Sequence, residues 1–123
     1  MNIKYIIASI ILTASVTSHA EEVKQYEGWT YLTSNEDSDY YAKKGSATHT
    51  KSIRTMLMQT VARENNPNKS VFYSKISISD SDCSQGFGVL SFYTPSGKSL
   101  GSADYVKGGN SVAAYVADML CLI

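Results

Sequence analysis

Two cysteines, Cys83 and Cys121, carry the most readable chemistry in this chain: oxidation to one disulfide. Cys83 follows Val71-Phe72-Tyr73-Ser74-Lys75-Ile76-Ser77-Ile78-Ser79, in which Phe72, Ile76 and Ile78 share one face. That two-residue period predicts a half-buried strand. Acidic Asp80-Ser81-Asp82 ends the run and shields its end, so Cys83 is expected at a strand end. Cys121 falls in a short predicted helix, and the pair reads as one staple between sheet and helix.

No other residue set reaches a catalytic pattern, and the chain is read as a non-enzyme with no cofactor. Serines are many, but no Gly-x-Ser-x-Gly occurs, and His49 stands in a polar loop with no partner visible in the sequence. Gly97-Lys98-Ser99 resembles the tail of a phosphate loop, but Phe92 occupies the place of its first glycine. Asp80-Ser81-Asp82 opens like a calcium loop, yet Gln85 and Ser91 stand where glycine and glutamate are required. Asn68-Lys69-Ser70 fits a glycosylation acceptor in a cell with that machinery. Gly108-Gly109-Asn110 ahead of a helix needs no anion to explain it.

Two features point to binding. Lys43, Lys44, His49, Lys51 and Arg54 form a modest basic patch around one loop. Tyr40 and Tyr41, adjacent on a strand, must point to opposite faces, so one of them is expected outward as a rigid contact residue.

The N-terminus places the chain. Met1-Asn2-Ile3-Lys4, an apolar run to Leu12 and Ser18-His19-Ala20 read as a secretory signal, cut between Ala20 and Glu21. The apolar run is shorter than the roughly 20 residues a span needs, and Glu21 replaces the cysteine of a lipoprotein. No membrane span or lipid anchor is therefore expected. The remaining 103 residues make one small domain with ten basic and eleven acidic residues. That balance excludes nucleic acid as the partner. Export to the periplasm, the medium or the cell surface is oxidising, which favours a bonded cysteine pair.

The elements follow in order. Residues 21–28 read as a loose polar lead-in, 29–33 and 39–43 as a hairpin around a turn at 34–38, and 44–52 as a loop. Residues 53–63 have helix-favouring Met, Leu, Gln and Ala, but the turn-rich 64–69 leading into the Ser70 strand decides for strand. Further strands are expected at 85–93 and 98–106, joined by Thr94-Pro95-Ser96-Gly97. Ser111 is the expected N-cap of a helix whose stripe is Val112, Val116, Met119, Leu120 and Ile123.

In the order of its landmarks the chain resembles the surface-adhesin protein E family. The landmarks are the signal, Trp29, Tyr40-Tyr41, Ser74-Lys75 ahead of Cys83, Phe92-Tyr93, Gly97 or Gly101, Asn110-Ser111 and Cys121. It departs from that pattern at Ala42, where an aspartate is expected, and at Met56-Leu57-Met58, where an aromatic is expected. The resemblance implies an adhesin that contacts host extracellular-matrix proteins. The alternatives are a periplasmic envelope accessory protein and a small inhibitor or ligand binder with a bacterial partner. The expected fold is α+β: a single antiparallel sheet of about six strands, with a C-terminal helix packed on it and disulfide-linked to it. The exposed edges of such a sheet leave a homodimer open.

Overall fold

A computed structural model describes residues 23–64 and 66–123; the predicted signal and the Ala20/Glu21 cleavage site lie outside them. Seven strands form one antiparallel sheet: β1 (Trp29–Ser34), β2 (Ser38–Lys43), β3 (Thr48–Thr50), β4 (Ile53–Ala62), β5 (Val71–Ser79), β6 (Phe87–Tyr93) and β7 (Ser99–Val106). Their spatial order is β1-β2-β4-β5-β6-β7, with β3 paired to part of β4. Helix α1 (Asp80–Gln85) joins β5 to β6, and helix α2 (Val112–Leu120) closes the described chain. The expected fold class is observed.

Helix α2 packs on β1 and β7, the two edge strands, and on β4 and β5 between them. One short helix can touch both edges only if the sheet curls around it. The core lies in that trough: Leu32, Met56, Met58, Ile76, Ile78, Leu90 and Tyr105 from the sheet, and Ala114, Val116, Ala117 and Leu120 from the helix. The β1–β2 ladder slips by one residue between Tyr31 and Thr33, which makes Leu32 the extra residue that reaches this core. The Ser111 hydroxyl caps α2 as expected, accepting from the Ala114 amide at 3.0 Å. Of the predicted stripe, Val116 and Leu120 are buried and Val112 packs against the core, but Met119 and Ile123 are exposed. Ala114 and Ala117 replace them, because small side chains let the helix axis sit low in the trough.

Three expectations are corrected. Cys83 lies in helix α1, not at a strand end. Ser79 accepts from the Asp82 amide at 3.1 Å, Asp80 and Asp82 occupy the first turn, and Gly86 ends the helix in the left-handed region. The polar loop 44–52 contains strand β3. Thr50 pairs with Ile53, so Lys51 and Ser52 are the whole of a two-residue turn, with φ of 51° and 66°. That is the backbone a right-twisted hairpin demands, built here without the usual Asn or Gly. The lead-in is not loose: the Tyr41 hydroxyl donates to the Lys24 carbonyl at 2.8 Å, and Lys44 N–H donates to Gly28 C=O at 2.9 Å.

The disulfide is present, Cys83 to Cys121, with Cα atoms 5.6 Å apart. Asp82 then holds the start of β6, accepting the Val89 amide at 3.0 Å. Gly88 is required beside it, since a Cβ there would lie 2.1 Å from the Asp82 carboxylate carbon.

Candidate functional site

Among the described residues, no helix packs on the second face of the sheet. By register it carries Trp29 and Tyr31 on β1, Tyr41 and Lys43 on β2, Leu57 and Gln59 on β4, Tyr73 and Lys75 on β5 and Tyr93 on β6. The Trp29 and Tyr73 rings meet at 5.9 Å although β2 and β4 separate their strands. They therefore close over the residues between, and Gln59 is buried there, its Nε2 without a hydrogen-bond partner among the described residues. The Lys43 ammonium stands 5.4 Å from the centre of the Trp29 ring, within cation–π range.

Beside this aromatic pair is a concavity of about 480 Å³ whose ionisable lining residues are Lys43, Lys44 and Lys75, with Pro95 and Leu57 among the rest. Among the described residues no carboxylate lines it. Three cations with no counter-charge among the described residues, one of them over an indole, suit an anionic surface that also offers apolar or planar groups.

The basic patch expected around the 44–52 loop divides in two. Lys43, Lys44 and Lys51 are exposed, and the first two belong to the concavity. Arg54 instead turns the other way. Its Nε donates to Asp80 Oδ1 at 2.7 Å, and its Nη1 donates to the main-chain oxygens of Cys121 and Ile123. His49 Nε2 is 2.9 Å from Asp80 Oδ2, which supplies the partner the sequence left unseen. These two side chains fasten β3 and β4 to α1 and to the end of α2, around the disulfide. Arg54 and His49 hydrogen bonds hold the Asp80 carboxyl below its usual range.

The tyrosine pair is also corrected: neither ring is a free outward contact. Tyr41 is buried on the helix-free face, where the Tyr26 and Tyr31 rings meet it edge-on at 5.0 and 5.7 Å. Burial, with Asp39, Tyr26 and Tyr31 adding to it, pushes its hydroxyl up to about 12. Tyr40 is half-buried on the helix face and packs against the core. The lead-in, whose fold-back has no local signature, is what covers Tyr41.

Trp29, Tyr73 and Lys75 are the site residues the sequence reading did not assign. The signal was available for Lys75, which alternation sets on the face opposite Phe72, Ile76 and Ile78. A second, more polar concavity of about 620 Å³ lies against the lead-in, lined by Lys24, Tyr26, Asp39, Arg63, Glu64 and Lys69 among others. There Arg63 Nη1 donates to Asn35 C=O at 2.9 Å and lies 3.9 Å from Asp39. Among the described residues no group of three or more His, Cys, Asp or Glu is placed to hold a metal, and no helix is long and apolar enough to cross a membrane. Comparison of the chain with protein-family models, with curated proteins and with solved structures finds no match.

Proposed function

We propose that this chain is an exported, non-enzymatic binding module of the adhesin E type, which holds an acidic surface of a host extracellular-matrix protein against its helix-free sheet face. The observation that carries the reading is the concavity lined by Lys43, Lys44 and Lys75, with no carboxylate among the described residues that line it, and with the Lys43 ammonium over Trp29. Exposed cations steer an acidic partner, and a rigid indole supplies contact area at low entropic cost. The disulfide between α1 and α2 suits an oxidising compartment.

The test is binding of the purified domain to immobilised matrix proteins, for wild type and for the Lys43→Ser, Lys44→Ser, Lys75→Ser triple variant. The variant is expected to bind at least about tenfold more weakly, a loss of about 1.4 kcal/mol, with a flatter salt dependence. Trp29 is the sole tryptophan, so its fluorescence reports contact at this face directly. Unchanged matrix binding by a folded triple variant rejects the site. Absence of matrix binding by wild type, with capture of a partner from periplasmic extract, replaces the adhesin reading with the accessory-protein one.

A further inference from the structure

Strand β5 is longer than its partner on one side. Strand β4 pairs with every residue of β5 from Val71 to Ser79, whereas β6 pairs only with Lys75, Ile76 and Ser77. The β6–β7 hairpin turns back at that level, where Thr94 N–H donates to Lys98 C=O at 2.8 Å. Among the described residues, 71–74 are thus flanked by a strand on one side alone, over about 13 Å at the usual rise per residue.

The direction of the unpaired groups follows from one hydrogen bond. Ala62 N–H donates to Ser70 C=O at 2.9 Å while Val61 stands opposite Val71. In an antiparallel ladder, Ser70, Phe72 and Ser74 then turn their main-chain groups to β4, and Val71 and Tyr73 turn theirs to the open side. Lys75 and Ser77 face that same side, which is where β6 meets them. Val71, Phe72 and Tyr73 are 51, 50 and 48% exposed, three consecutive apolar residues on an open edge. Proteins usually blunt such an edge with charge, proline or a covering element.

On the helix side, this edge borders an apolar crevice of about 310 Å³ whose lining includes Phe72, Ser74, Leu90, Phe92, Val112 and Val116. Lys69 and Lys75 flank the open segment in sequence, and Lys98 stands in the turn at the hairpin tip. Lys69 Nζ donates to the main-chain carbonyl of Glu64.

We infer that residues 71–74 are the receiving edge for an extended peptide, which adds as a strand, places an apolar side chain in the crevice and carries acidic residues at its flanks. Unsatisfied main-chain donors and acceptors call for another main chain, the crevice calls for alternating apolar side chains, and the lysines call for carboxylates. A second copy of this chain is a poorer occupant. The self-pairing that engages Val71 and Tyr73 of both copies sets Val71 against Tyr73 and Lys69 against Lys75, so like charges meet. The inference uses the edge and the helix side; it shares Lys75 with the matrix-binding concavity, but the peptide titration and the matrix-binding assay are read separately, so either can fail without the other.

The probe is a capped, fluorescein-labelled peptide, Glu-Thr-Val-Thr-Val-Thr-Glu, titrated into the disulfide-intact protein by anisotropy and by NMR. Shift changes are expected at residues 70–75 and at Phe92 and Val112. Val71→Pro deletes an edge donor that β4 does not use, and should weaken binding at least about tenfold with circular dichroism unchanged. On wild type, the same peptide N-methylated at alternate amides, in both phases, should lose binding in the phase that faces β5. A Lys-flanked peptide should bind more weakly than the Glu-flanked one. The inference is overturned by shift changes elsewhere, by equal binding of both N-methylated forms, by no saturable binding at about 1 mM, or by a peptide-free dimer whose protected edge is residues 71–74. Because the N-methyl comparison uses wild type, a misfolded Val71→Pro does not decide the outcome.

Discussion

Removing the Cys83–Cys121 bridge, as the double variant Cys83→Ala, Cys121→Ala, should cost a large share of the stability a domain of this size has. The bridge closes a loop with a sequence separation of 38. The loop-entropy relation then gives about 13 cal/mol/K, or about 4 kcal/mol at room temperature, against a total of about 5–10 kcal/mol for a small domain. The loss acts mainly through the unfolded chain, because the native contacts of α2 survive. Ala117 and Leu120 remain fully buried, and Arg54 still donates to the main-chain oxygens of Cys121 and Ile123. Nine helical residues would not persist without those contacts. The assay is guanidinium denaturation followed by circular dichroism, without reductant. With a slope of about 2–3 kcal/mol per molar, the midpoint should fall by about 1.5 M. Amide exchange in α2 should quicken by the same free energy as global unfolding, because the helix opens with the domain rather than before it. A midpoint shift below about 0.5 M at equal slope would refute the entropic reasoning and leave the helix held by packing alone. Exchange in α2 that quickens while the rest of the sheet stays protected would refute the claim of a common opening.

Three further outcomes can be measured on the same protein. Lys51→Asn with Ser52→Gly places favourable residues at the two left-handed turn positions, and should raise stability by about 1 kcal/mol by thermal or chemical denaturation. In alkali, Tyr41 and Tyr105 have hydroxyls pushed up to about 12, both chiefly by burial, with the Asp118 hydrogen bond adding to the shift at Tyr105. A raised folded-state value means stability is intact below the ordinary value of 10 and is lost as pH rises from 10 to 12; absorbance of phenolate should show two tyrosines ionising together with unfolding. In acid the sign reverses. Asp80 is held below 3.8, first by Arg54 and then by His49, so its contribution is present above that value and is lost as pH falls through the lower folded-state value. Asp80→Asn should flatten this part of the acid limb in denaturation midpoints taken below pH 5.

The strand-rich plan, the pairing of Cys83 with Cys121 and the capped C-terminal helix were legible in the residues themselves, although the bridge joins two helices and not a strand end to a helix. Alternation marks β5, Pro and Gly mark the β6–β7 turn, and Ser111 marks the start of α2. The β3–β4 turn escaped because Lys51 and Ser52 take up left-handed backbone that neither residue prefers, and the ladder from Thr48 to Thr55 compels it. Helix α1 escaped because six residues carry no periodicity, although Ser79 and Asp82 hold the spacing of a cap. Only the folded chain could divide the cations. Lys43 and Arg54 look alike as members of one basic run, yet Lys43 lies over Trp29 while Arg54 is spent on Asp80 and two carbonyls. Likewise Tyr40 and Tyr41 were known to face opposite ways, but which face had a cover was not. A sheet face has no intrinsic inside: the sequence determined which residues share a face, and the tertiary structure decided what lies on each, because α2 and the lead-in arrive from distant parts of the chain.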